Sequence, residues 1–268
     1  MSRNIKNGSV VIGDTEMYYA SFGSGKRTLV VLPGLSDGLA TVKGKAWMLA
    51  APYKGYLDDF SVYLFSRKNK MPEGTTIQDM AADQIEVMKK LGIRKASVLG
   101  VSQGGMIAQY MAIDHPEAVE RLVLAVTAPC ANDTVKNAVT GWVEMAKQGD
   151  HKALMIDTAE KMYSKAYLEK KSRLFPLLAR FTKPASYERF YRNAEAILSF
   201  DAREELDRIR CPTLILAGEN DLTVGNEAAG ELKSKIAGSR LVVFSGLGHG
   251  AFEESPEFYD KVFDFISE

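Results

Sequence analysis

Short, largely apolar runs rich in Val, Ile, Leu and Phe recur along the chain at Thr28–Leu32, Phe60–Phe65, Ala96–Val101, Arg121–Val126, Cys211–Ala217 and Leu241–Phe244. Runs of that length without polar alternation predict parallel strands covered on both faces. Ahead of them, Ser9–Ile12 and Met17–Phe22 flank Gly13-Asp14, which predicts a hairpin at the sheet's edge. Between the strands the period becomes helical. One helix is expected from a Thr75 or Thr76 cap to about Leu91, closed by Gly92. Another places Met106, Ile107, Tyr110 and Met111 on one face and stops at Asp114-His115-Pro116, where proline forbids continuation. A closing helix over Pro256–Ile266 carries Phe258, Val262, Phe265 and Ile266 at helical spacing. Strands alternating with helices predict an α/β protein built on a mostly parallel, doubly wound sheet.

The alternation breaks from about Asn132 to Asp201. That segment has no strand-like run, only helical patterns mixing Lys, Arg and Glu with Met, Tyr, Phe and Leu. Its modest basic excess reads as a solvated face. We therefore divide the chain into a first core part (residues 1–131), a helical cap insertion (132–203) and a second core part (204–268). The cap is expected over the carboxyl edge of the sheet, where open α/β sheets bind ligands. Trp142, in a stripe with Met145, Met155 and Met162, is expected either to line an apolar pocket there or to serve the cap's own packing. Val224 is a second candidate lining residue.

Composition narrows the class of protein. Basic and acidic residues balance at 34 each, so no strong field points to nucleic acid or an anionic membrane as partner. No run approaches the length of a membrane span. The two cysteines, Cys130 and Cys211, make no disulfide framework and predict a reducing compartment. With no apolar signal-like stretch near Met1, the expectation is a soluble cytoplasmic protein.

The candidate chemistry lies where strand Ala96–Val101 gives way to helix. Ser102 sits at that change of period, flanked by Gly100 and Gly104, with Gly105 following. A serine on so tight a turn adopts a strained backbone and projects its hydroxyl beyond the sheet. Strand and helix cross two residues either side, where only glycine leaves room. The first N–H groups of the helix are unpaired there and suit a developing negative charge. A serine nucleophile needs a base and a carboxylate. Of the three histidines, His115 ends a helix and His151 lies in a polar stretch of the insertion. His249 alone follows a buried strand on a glycine-flanked loop. Asp221, after Cys211–Ala217, is the preferred acid, with Asp133 in reserve; Glu219 is expected to point elsewhere.

Gly100-Val101-Ser102-Gln103-Gly104-Gly105, Gly218-Glu219-Asn220-Asp221 and Gly248-His249 together resemble the α/β-hydrolase family, in its order of serine, acid and histidine. The likeness runs from the N-terminal hairpin to the last helix. It implies the α/β-hydrolase fold with an inserted cap, Ser102 as nucleophile, His249 as base and Asp221 as acid. It also implies backbone N–H groups of Gln103 and Leu35 as the oxyanion hole. Two departures stand out. Pro33-Gly34 replaces the His-Gly of many relatives. Ser66 to Met71 replaces an Asp-x-Arg-Gly-x-Gly-x-Ser loop, so a different pocket rim is expected. The implied activity is hydrolysis of a small or medium, fairly apolar acyl compound, most simply a carboxylic ester, with no metal or organic cofactor. Amides (including prolyl peptides), thioesters and carbon–carbon bonds beside a ketone are alternatives on the same residues. A ligand-sensing protein with negligible turnover is the alternative from another class.

Overall fold

The computed structural model describes residues 4–171 and 182–268. Eight strands form one sheet in the order β1-β2-β4-β3-β5-β6-β7-β8. They are β1 (Lys6–Ile12), β2 (Thr15–Phe22), β3 (Arg27–Leu32), β4 (Phe60–Phe65), β5 (Ala96–Val101), β6 (Val119–Ala125), β7 (Thr213–Gly218) and β8 (Arg240–Phe244). The hairpin β1–β2 lies antiparallel at one edge, as its Gly13 turn at φ 61° allows, and every pairing from β4 to β8 is parallel. The fold is that of the α/β hydrolases: a mostly parallel sheet wound on both faces.

Alternate residues of one strand serve opposite cores, as the pleat demands. Val30, Leu32, Val98, Leu122 and Leu124 face one layer; Leu29, Val31, Leu99, Val123 and Ala125 face the other. The first layer holds helices α1 (Ile77–Lys90) and α2 (Gln103–Asp114). Thr76 caps α1 in a capping box with Asp79, and Gly92 at φ 74° follows its end. Helix α2 departs from the one-faced pattern expected of it: Gln103 to Ile113 are all buried. The sheet and α1 pack along it, and Gln103 at its start bonds to Asn193 O of the Glu188–Leu198 helix, so little of it meets solvent.

Between β6 and β7 the insertion contributes α3 (Asp133–Lys147), α4 (His151–Met162), α5 (Lys165–Lys171) and α6 (Glu188–Leu198). The chain leaves and returns at one place. Ala131 N–H donates to Phe200 O at 2.8 Å and Ala202 N–H to Pro129 O at 2.9 Å. Helix α7 (Ala228–Lys235) follows β7 and packs on the same layer as α1 and α2. Helix α8 (Phe258–Ser267) closes the opposite layer against Tyr53 and Tyr56. Among the described residues no helix is long and apolar enough to cross a membrane. Cys130 and Cys211 are free, and burial pushes both thiols above their ordinary range, as expected of packed, unreactive residues.

Candidate active site

Ser102 occupies a left-handed backbone conformation, φ 55° and ψ −119°, between β5 and α2. Such strain costs roughly 1–3 kcal/mol and persists only where the surroundings dictate it. Here they do. Ser102 N–H donates to Ala125 O at 2.9 Å, and Thr127 Oγ1 donates to Ser102 O at 2.7 Å. A side chain at Gly104 would overlap the carbonyl of Leu32, and one at Gly100 would overlap the backbone of Gly104. The sharp turn is therefore possible only because both positions lack a Cβ.

Two further loops meet the serine at the carboxyl edge of the sheet. Asn220 N–H donates to Leu247 O at 2.8 Å and Glu219 N–H to Phe244 O at 3.1 Å, lacing the loop after β7 to the loop after β8. Asp221 and His249, 3% and 4% exposed, are brought together by that lacing. His249 Nδ1 lies 2.8 Å from Asp221 Oδ2, and His249 Nε2 lies 2.9 Å from Ser102 Oγ. An ionised carboxylate only accepts, so Nδ1 carries the hydrogen and Nε2 is left to accept from the hydroxyl. The other oxygen, Asp221 Oδ1, accepts from the backbone N–H groups of Thr223 (2.8 Å) and Val224 (2.9 Å). Every link of this chain is oriented by its neighbour.

The remaining expected residues fall as follows. Gln103 opens α2, so its N–H lies outside the helix's own ladder beside Ser102. Leu35 follows Gly34, whose missing side chain would stand 3.2 Å from Ser102 Cβ. Asp133, the reserve acid, is exposed at the start of α3. Glu219 turns to Ser245 and Gly246. His115 ends α2, with Glu117 at 3.7 Å. His151 is buried despite its polar sequence neighbours, because Tyr187 and Thr182 close on its ring. Trp142 is buried too, and its Nε1 donates to Asp157 Oδ2 at 2.7 Å, joining α3 to α4. Val224 is 4% exposed, and its N–H donates to Asp221 Oδ1 at 2.9 Å.

With the geometry of these loops in view, the sequence proves to match the alpha/beta hydrolase fold family over residues 53–256. The chain belongs to that family. The AB hydrolase superfamily protein YisY of Bacillus subtilis is 30% identical over 202 residues, 72% of this chain and 74% of that one. The 3-oxoadipate enol-lactonase 2 of Acinetobacter baylyi is 24% identical over 259 residues, 94% of this chain and 93% of that one. Among solved structures, the α/β hydrolase enzyme MGS-M2 from a Medee basin deep-sea metagenome library superposes with a TM-score of 0.85 at 22% identity, covering 97% and 98% of the two chains. This α/β hydrolase is an enzyme, as its relatives are.

Sequence patterns missed one part of the site. The loop from Ser66 reads as polar and basic, yet Ser66 and Arg67 are 0% and 1% exposed. They converge with Arg189 of α6 on the buried carboxylate of Asp37. Burial opposes the charge on Asp37, but the guanidinium groups of Arg189 and Arg67, with hydrogen bonds from Arg67 and Ser66, outweigh it and hold the carboxyl below its usual range. Burial pushes the Arg67 guanidinium down to about 10, still protonated at neutral pH. Only the contact between distant segments makes the cluster visible; no spacing announces it.

Proposed function

We propose that this α/β hydrolase cleaves an acyl bond, most simply a carboxylic ester, through a Ser102–His249–Asp221 triad and an acyl-enzyme. The observation that carries the reading is the unbroken hydrogen-bond chain from Ser102 Oγ through the imidazole to Asp221. A serine hydroxyl is a weak nucleophile because its proton is tightly held. Neutral His249 accepts that proton at Nε2 as Oγ attacks the carbonyl carbon. Asp221 fixes the tautomer and stabilises the imidazolium that forms. The charge arriving on the carbonyl oxygen is taken by the N–H groups of Gln103 and Leu35, each donor of this kind being worth about 3–4 kcal/mol in the transition state. The imidazolium returns its proton to the leaving alcohol. Water, deprotonated by His249 in the same way, then attacks the acyl-enzyme and releases the acid and Ser102.

In this reading residues 132–203 form a cap over the site, supported by the contacts of α4 and α6 with the loops beside His249 and Leu35. The ester preference draws support from the enol-lactonase relative, since a lactone is a cyclic ester. A panel of chromogenic acyl esters of increasing chain length tests the proposal. Turnover that disappears in Ser102→Ala supports it. Binding without turnover, or turnover that survives Ser102→Ala, overturns it.

A further inference from the structure

The cluster on Asp37 sits between the two arms of the proposed oxyanion hole. Arg67 Nη2 carries two hydrogens, and they go to different arms. One reaches Pro33 O at 2.5 Å, two residues before Leu35; the other reaches Gln103 Oε1 at 3.0 Å. Asp37, two residues after Leu35, is held by Ser66 Oγ at 2.6 Å, by Arg67 N–H at 3.0 Å and by Arg189 Nη2 at 2.6 Å. Arg189 also donates to the backbone carbonyls of Asp37, Arg67 and Lys68. The Gln103 side chain is completed from the insertion as well, its Nε2 donating to Asn193 O at 3.0 Å. Leu35 is therefore pinned on both sides, and Gln103 is pinned by its own amide.

Stability alone is a poor reason for such a device. Buried ion pairs seldom outperform apolar residues of the same volume, because desolvation offsets attraction. This one even leaves Arg67 Nε without a hydrogen-bond partner among the described residues. What a rigid, doubly donating guanidinium supplies is a fixed distance between two pieces of backbone.

We propose that Arg67 and Arg189 are positioning residues, which set the spacing of the Leu35 and Gln103 amides around Ser102 and make helix α6 of the insertion a structural part of the oxyanion hole. This rests on the acyl-transfer reading above. Neither arginine touches the reacting atoms. Each acts through the backbone it holds, so its loss weakens the transition state more than the ground state.

The test uses the full chain, folded by circular dichroism and assayed well below its unfolding midpoint. Arg67→Met and Arg189→Met are expected to lower kcat about 10- to 100-fold while KM moves less than about threefold, part of the 10²–10³ carried by one oxyanion donor. The inhibition constant of a phenylboronic acid, whose tetrahedral adduct occupies the hole, should rise in parallel with the loss of kcat/KM. Arg189→Lys, keeping charge but not the fork, should recover only part. If Arg67→Met fails to fold, Arg189→Met decides, since that side chain is 13% exposed and lies on the insertion. A folded Arg189→Met with kcat within twofold of wild type, or with KM and boronate affinity shifting together, overturns the inference and leaves the triad reading standing. A wild-type chain that turns over no ester overturns both.

Discussion

The N–H of Gly250 donates to the carbonyl oxygen of Met162 across 2.7 Å, bonding the residue after His249 to the last turn of α4. Beside it, Glu254 accepts from both the N–H and the hydroxyl of Ser164. The insertion is thus tied to the histidine loop by α4 and to the loop after β3 by α6. Both ties bear on residues that flank the hydrogen-bonded chain of Ser102, His249 and Asp221.

Weakening the first tie should be measurable. Glu254→Ala leaves two donors of Ser164 without their charged acceptor, and such bonds contribute about 1.5–3 kcal/mol. Partial exposure reduces that, so a loss of about 1–2 kcal/mol is expected from urea unfolding, with a raised KM from a looser histidine loop. An unchanged midpoint and KM would show that the Met162–Gly250 bond holds the junction alone.

The three histidines separate cleanly. In the proposed mechanism His249→Gln removes the base and should lower kcat by about 10⁶, whereas Asp221→Asn inverts its tautomer and should lower kcat by about 10⁴. His115→Gln and His151→Gln should keep kcat near wild type, because their partners are Glu117 in one case and Tyr187 and Thr182 in the other. Steady-state kinetics on one ester checks all four.

Glycines at the turn and on the surface should respond in opposite directions. Gly104→Ala forces a methyl into the carbonyl of Leu32, a backbone atom that cannot yield without moving β3. Little or no folded protein is expected in the soluble fraction. Gly230→Ala, in α7 with open space around it, should instead stabilise by about 0.5–1 kcal/mol through helix propensity and a less flexible unfolded chain. The soluble yield of Gly104→Ala and the thermal unfolding of Gly230→Ala test the contrast.

Acid should find the Asp37 cluster. A carboxyl held below its unfolded value contributes stability that is complete above that value, 3.8 for an aspartate, and is lost as pH falls through the folded value beneath it. Asp37→Asn removes the buried charge and leaves two arginines facing a neutral amide, a cost of about 3–5 kcal/mol near neutrality. The gap between wild type and variant should narrow steadily as pH drops from about 5 towards 2, because protonated Asp37 resembles asparagine. Urea midpoints of both proteins across that range measure it; a constant gap would contradict the charge assignment.

The apolar runs predict the sheet, the glycines around Ser102 predict its tight turn, and only His249 of the three histidines follows a buried strand. Those features are local: a strand's covering, a turn's lack of room and a loop's chemistry are written in adjacent residues. Helix α2 was harder, because burial on every side depends on what packs around it. His151 reads as polar from its neighbours and is buried by residues more than thirty positions away. The sequence by itself determined the strand-and-helix alternation and which side chains carry reactive groups. Tertiary structure alone decided that Asp37, Arg67 and Arg189 share one buried site. An ion pair between segments 30 and 152 positions apart depends on topology, and topology has no signature in the spacing of the residues it joins.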